Sequence, residues 1–257
     1  MRPVALLTDF GIEDHYVGVL HAVLEREAPG IVRIDLGHSL EAGDILGACF
    51  QLKCAWPHLP GDCVVMAIVD PGVGTNRRVV VVTVGSRSIL APDNGLANAI
   101  PGATSAIDLD WRNAGLTEPS KTFHGRDLFA PAAARLANGG TARELGEEIA
   151  LDSLVQCPLP APVATAAAVE GVILHVDRFG NLVTNVHGAD APKIIAAGWH
   201  AGQASRRVDT YGEAGPEEVV ILEGSSGYLE LAVNCGSAAD ATGLERGDSV
   251  LFTSCEG

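Results

Sequence analysis

Two uninterrupted apolar runs, Cys63-Val64-Val65-Met66-Ala67-Ile68-Val69 and Val79-Val80-Val81-Val82-Thr83-Val84, bracket the stretch Asp70-Pro71-Gly72-Val73-Gly74-Thr75-Asn76-Arg77-Arg78. Runs of this length, rich in β-branched residues and without a helical period, read as buried strands. A strand therefore ends in a carboxylate, turns on Pro71, Gly72 and Gly74, and presents two arginines before the chain re-enters the core. Loops at strand ends in α/β folds are where ligands and chemistry sit. Taken alone, the stretch reads more safely as a Pro-Gly turn fixed by an Asp–Arg ion pair.

The flanking sequence supplies the rest of such a fold. Val4 to Leu7 reads as a strand, and Thr8-Asp9-Phe10-Gly11 as a turn. From Asp14, placed to cap a helix, Val17, Leu20, Val23 and Leu24 recur at helical spacing up to Glu27, where Pro29-Gly30 ends the pattern. Ile31 to Leu36 is a second strand, and Asp44 to Trp56 a second helix closed by Pro57 and Pro60. Ser88 to Ala91 and Ala106 to Leu109 read as strands, Leu128 to Asn138 as a helix and Glu144 to Ile149 as a further short one. This alternation predicts an N-terminal α/β domain over 1–156, with a mostly parallel sheet and helices on both faces. Residues 157–168, with three prolines in five positions followed by small residues, read as a linker. Beyond them Val169 to Val176, Asn181 to Val186, Glu217 to Leu222, Tyr228 to Val233 and Ser249 to Phe252 predict a small β-barrel or sandwich over 169–257.

Charge narrows the function classes. The net charge is −15, from 32 acidic and 17 basic residues among 257, which disfavours nucleic acid or an anionic membrane as the main partner. The six cysteines form no CxxC pair and are too sparse for a disulfide scaffold, so they are expected to be reduced, buried and inert. The apolar part of the N-terminal segment is too short for a signal peptide and no run reaches membrane-spanning length, which predicts a cytoplasmic protein.

Polar turns recur at predicted strand ends: Asp9, Asp70, Asp93 and His124. An aspartate at a strand end, such as Asp9, can accept both hydroxyls of a ribose. His124, in Phe123-His124-Gly125-Arg126-Asp127, precedes a helix whose N-terminal field favours a neutral imidazole. Beside Asp70 and Arg77 it would complete an Asp–Arg–His group able to bind and polarise a water; alone it would simply pack. In the C-terminal region, Asp177-Arg178-Phe179-Gly180-Asn181 combines a carboxylate, an aromatic and an amide at a hairpin. Phe179 could stack on a base while Asn181 reads its edge. Order excludes a protein kinase, since Asp-Phe-Gly precedes His-Gly-Arg-Asp and no glycine-rich nucleotide loop is present. A calcium-dependent nucleoside hydrolase stays open, although its aspartate cluster needs more oxygen ligands than are gathered here.

Together these segments resemble the S-adenosylmethionine hydroxide adenosyltransferase family, relatives of the fluorinases and chlorinases. The shared motifs run in order: TDFG at 8–11, VDPGVGT at 69–75 with Arg77, PDNG at 92–95, FHGRD at 123–127, DRFGNLVTN at 177–185 and SSGYLELAVNCGSA at 225–238. The resemblance implies an N-terminal α/β domain, a C-terminal β-barrel and a homotrimer with active sites at subunit interfaces. It implies attack of water on C5′ of S-adenosylmethionine, giving adenosine and L-methionine, with Asp70, Arg77 and His124 as the catalytic group. By the same resemblance Asp9 holds the ribose, and Asp14, Tyr16, Asp177, Ser225 and Ser226 lie near the methionine end. Phe179 and Asn181 face the adenine with backbone groups around Asn234 and Cys235. Asp93, Asn94 and Phe123, inside two of the motifs, join the substrate-binding set. No metal or other cofactor is implied, since the sulfonium already carries its leaving group.

Departures from the halogenating branch are local. Halogenases have Tyr and Thr around the halide where this chain has Asp70 and Val73, Tyr-Ser where it has His124-Gly125, and Trp where it has Gly43. An ionised Asp70 repels a halide and accepts a hydrogen bond from water. Ser226 stands where halogenases place an arginine, which changes how a methionine carboxylate would be held. A halogenase-type transfer, a metal-dependent nucleoside hydrolase and a non-catalytic adenosine-binding protein are the competing readings.

Overall fold

The computed structural model describes residues 1–165, 168–191, 194–199 and 204–254. The chain divides into two compact units, 1–158 and 159–257.

The first unit runs β1 (Val4–Thr8), α1 (Tyr16–Glu27), β2 (Arg33–Gly37), α2 (Ile45–Ala55), β3 (Val64–Ile68), β4 (Val79–Val84), β5 (Arg87–Pro92), β6 (Ala103–Leu109), α3 (Ala130–Ala137) and β7 (Gly146–Ile149). Its seven strands form one sheet in the order β2-β1-β3-β5-β4-β6-β7. The pairings from β2 through β5 are parallel, and those from β5 through β7 are antiparallel. The sheet is thus half parallel rather than mostly so. The reason is the two-residue connection Gly85-Ser86, which can only return the chain alongside itself as a hairpin. The expected helix over 144–149 is instead the edge strand β7, preceded by a single helical turn at Ala142–Glu144.

Strand alternation puts Val4, Leu6, Val64, Met66 and Ile68 on one face, in a core with Leu20, Val23 and Leu24 of α1 and the alanines of α3. Ala5, Leu7, Val65 and Ala67 point the other way and are equally buried; α2 packs against β1 and brings Ala48, Cys49, Phe50 and Leu52 inside. Helices therefore cover both faces, as expected. Asp44 caps α2 by accepting from Gly47 N–H at 2.9 Å. Asp14 does not cap α1: the helix begins one residue after His15, and no side chain supplies a capping bond.

The second unit contains β8 (Val163–Ala164), β9 (Ala168–Val176), β10 (Leu182–His187), β11 (Ile194–Trp199), β12 (Ala204–Arg207), β13 (Val219–Glu223), β14 (Tyr228–Val233), α4 (Ala238–Thr242) and β15 (Ser249–Ser254). Seven strands close a barrel in the order β10-β14-β13-β12-β11-β15-β9, with β9 returning to β10. The short β8, inside the stretch read as a linker, adds to β9 outside that ring. Ile173, Leu182, Val186, Ile221, Leu229, Leu231, Val250 and Phe252 fill the interior. Among the described residues no helix is long and apolar enough to cross a membrane.

None of the described cysteines is in a disulfide. Burial pushes the Cys63 thiol up, in keeping with an inert core residue. Cys235 departs from that expectation, being exposed on a turn at positive φ. Cys255 lies outside the described residues.

Candidate active site

A cleft of about 290 Å³ opens at the C-terminal ends of β1 and β3, lined by Asp9, Phe10, Tyr16, Ile68, Asp70, Val73, Thr122, Phe123, His124 and Gly125. Its polar corner is the Asp70–Arg77–His124 group. Arg77 Nε donates to both oxygens of Asp70 at 2.9 Å, and Nη2 adds a short bond to Oδ2. The same Nη2 lies 2.8 Å from His124 Nδ1. A guanidinium can only donate, so Nδ1 accepts and the ring proton of a neutral His124 sits on Nε2. Burial and the neighbouring Arg77 charge hold His124 below the usual imidazole range, while Asp70, Asp127 and the Ser120 carbonyl pull the other way. Asp70 and Arg77 side chains are 6% and 13% exposed, which makes the pair strong in its partly dry setting.

The chain makes this corner by two devices. Gly74, at φ +77°, passes so close to the Lys121 carbonyl that a Cβ would lie 2.3 Å from its oxygen. The Asp70–Arg77 turn is thereby seated on the loop that delivers His124. His124 itself precedes a widened helical turn, Gly125–Phe129, closed by Ala130 N–H donating to the Gly125 carbonyl five residues back. Such π turns concentrate at functional sites.

The cleft also has an aromatic wall. Phe10, Tyr16 and Phe123 meet edge to face, with ring centroids 5.2–6.0 Å apart. Gly125 keeps that wall close, since a Cβ there would touch Phe123 and Phe10 at 3.2 and 3.4 Å. Asp9 is fixed by Gly43 N–H, which donates to Oδ2 at 2.8 Å, and this leaves Oδ1 available to a ligand. Three lining residues, Phe10, Ile68 and Thr122, were not among the candidates read from sequence. Ile68 was within reach of the pattern, because it lies two residues before Asp70 along the same segment.

Other candidates fall elsewhere. Asp93 is spent on Arg78, whose Nε donates at 2.8 Å, and on Val155 N–H at 2.9 Å, and it does not line the cleft. Asn94 Nδ2 donates to the Val69 carbonyl at 2.8 Å, bracing the backbone just before Asp70. Asp14 is exposed beside the cleft's entrance residue Tyr16. In the second unit Asp177 accepts from Phe179 N–H, Asn181 N–H and Asn181 Nδ2 at 2.8–2.9 Å, folding its own hairpin. Asn181 is buried by that turn while Phe179 is 75% exposed. Ser225 and Ser226 occupy the β13–β14 turn, and Asn234 and Cys235 the exposed turn after β14.

Comparison with known proteins fits this arrangement. Residues 4–146 match the SAM hydroxide adenosyltransferase N-terminal domain and residues 171–251 its C-terminal domain. The chain belongs to the SAM hydroxide adenosyltransferase family. Within that family it is similar to a Thermus thermophilus protein named (R)-S-adenosyl-L-methionine hydrolase, at 42% identity over 96% of this chain and 98% of that one. A Salinispora tropica protein of the same name is 37% identical over 97% of each. A fluorinase from Actinoplanes sp. is more distant, at 27% over 97% of each. A Thermotoga maritima crystal structure, of an uncharacterized conserved protein, superposes with a TM-score of 0.91 at 30% identity, covering 97% of this chain and 99% of that one.

Proposed function

We propose that this family member hydrolyses S-adenosyl-L-methionine to adenosine and L-methionine. The carrying observation is the Asp70–Arg77–His124 group in a cleft that also has an aromatic wall. The water oxygen bonds to C5′ as the C5′–S bond breaks; the bonding pair leaves with sulfur, giving the methionine thioether, and the water loses one proton. Asp70 Oδ1 takes only the Nε bond from Arg77 and keeps a second acceptor direction, with which Asp70 can hold the attacking water and draw on its proton. Arg77 fixes Asp70 and His124 against each other, which is the alignment that an in-line displacement requires. The aromatic wall suits a sulfonium cation and its adenosyl group, and the open Asp9 oxygen suits ribose hydroxyls.

An anionic Asp70 and an apolar Val73 in the cleft support water over halide as the nucleophile. The relatives' names further point to the (R) form of the substrate, a distinction that exists because a sulfonium with three different substituents is a stereocentre. We assign adenine and methionine contacts to the loops at 177–181, 225–226 and 234–235. A homotrimer sharing its sites between copies, in the cytoplasm, is the assembly we favour; Ile12 and Phe179, 71% and 75% exposed, are apolar surface that subunit contacts would cover.

The test is chromatography of the products from separated (R) and (S) S-adenosylmethionine, with chelator present. Adenosine and methionine from the (R) form are expected. Release of free adenine that is lost on adding chelator, or ligand binding without turnover, would each replace this reading by one of its competitors. Light scattering of the free protein checks the trimer.

A further inference from the structure

At the outer edge of the first unit's sheet, away from the cleft, three side chains from successive segments converge. His21 stands on α1, Asp35 on the edge strand β2, and His38 directly after that strand. One ligand atom from each lies within 4.8 Å of the others. His21 Nε2 is 2.9 Å and His38 Nε2 3.1 Å from the same oxygen, Asp35 Oδ1. None of the three lines the cleft.

A carboxylate receiving hydrogen bonds from two imidazoles accounts for His21 but not for His38. The His38 ring is buried, and its Nε2 has no hydrogen-bond partner of good geometry among the described residues, its nearest polar neighbour being Asp35 Oδ1 at 3.1 Å. Leaving such an atom unsatisfied is costly, and native proteins rarely do so. The other ring nitrogen is engaged: His38 Nδ1 lies 2.8 Å from the hydroxyl of the fully buried Thr8. An imidazole whose Nδ1 is fixed by a buried hydroxyl, with Nε2 facing a carboxylate and a second imidazole, has the orientation of a metal ligand.

We propose that His21 Nε2, His38 Nε2 and an Asp35 carboxylate oxygen form a zinc(II) site. A tetrahedral ion with bonds near 2 Å keeps its donor atoms about 3.3 Å apart; the two imidazole-to-carboxylate spacings of 2.9 and 3.1 Å need to open by only a few tenths of an ångström, and one ring nitrogen of each imidazole lies within 4.8 Å of the other. Two imidazoles and one carboxylate form a recurrent zinc ligand set, and three protein ligands leave the fourth position to water. His21 and Asp35 are 32% and 44% exposed, which gives the ion its way in. Once bound, it ties α1 to β2 and to His38, whose carbonyl accepts from Gly11 N–H at 2.7 Å. The site thereby steadies the loop that carries Asp9.

Cobalt(II) titration of the full chain, stripped with chelator and dialysed, tests this. One tightly held ion per chain is expected, with visible d–d absorption, no sulfur-to-cobalt charge-transfer band, and displacement by zinc. His21→Ala and Asp35→Asn, both at partly exposed positions and checked for folding by circular dichroism, should each weaken binding at least about a hundredfold. His21→Cys should restore binding and add the thiolate band that the parent protein lacks. Binding undiminished in both variants, a thiolate band in the parent protein, or no binding at micromolar cobalt overturns the proposal.

Discussion

Arg77 and Arg78 are sequence neighbours, and each grips an aspartate at a strand end, yet the two pairs do different work. Arg78 donates to Asp93, to the Ser153 carbonyl and to the Ser153 hydroxyl, while the second Asp93 oxygen accepts from Val155 N–H. Every strong group there is satisfied from within, and the pair fastens the 150s segment to the sheet. Arg77 donates to Asp70 and to His124, and Asp70 and His124 both face the cleft. The difference between a fastening pair and a working pair is thus the third partner: a backbone segment in one case, an imidazole in the cleft wall in the other.

The comparison breaks most sharply at the chemistry. Asp70→Asn and His124→Ala should each lower turnover by about 10²–10⁴-fold, with substrate analogue binding retained by calorimetry; turnover near the parent level in either would make the Arg77 pair another fastening. Gly74→Ala comes next. It forces a Cβ into the Lys121 carbonyl and strains a left-handed position, and a misplacement near 1 Å between Asp70 and His124 should cost about a hundredfold in turnover, measured as adenosine release. Arg78→Met should do the reverse: an unpaired, buried Asp93 costs about 3 kcal/mol in denaturant unfolding, while turnover of the folded protein stays within about twofold. The smallest effect is in pH dependence. The unfolded chain protonates His124 near its ordinary pH of about 6.5, whereas the folded protein resists doing so. His124 therefore leaves stability unchanged above that pH and lowers it as pH falls below. Melting temperatures between about pH 7 and 5 should fall less steeply in His124→Gln than in the parent.

Much of this was legible in the residues. Apolar runs, helix periods and punctuating Pro and Gly located the first unit's core strands and all three of its long helices. The half-antiparallel sheet was missed because burial on both faces makes β4 and β5 look like parallel strands; only the two-residue Gly85-Ser86 link reveals the hairpin. β11 and β12 escaped because Ile-Ile-Ala-Ala-Gly-Trp and Ala-Ser-Arg-Arg carry little β-branched alternation, their pairing being imposed by barrel closure. At the site, the family motifs, rather than physical chemistry, separated Arg77 from Arg78. The physical reason is long-range: His124 lies 47 residues from Arg77 and Ser153 lies 75 residues from Arg78, so nothing in the dipeptide itself could distinguish them. Asp93 was misplaced for the same reason, since its motif resembles a ligand loop until the 150s segment covers it.

The widened turn at Gly125–Phe129 has a consequence for how the site can change over time. Ordinary helix advances about 100° per residue, so deleting one residue within this turn would regularise the winding and rotate His124 by roughly that angle relative to α3. The imidazole would leave Arg77 while α3 kept its alanine face on the core. A single codon lost here would unhook the chemistry from an intact scaffold, which makes the angular phase of this turn as heritable a determinant of the site as the histidine.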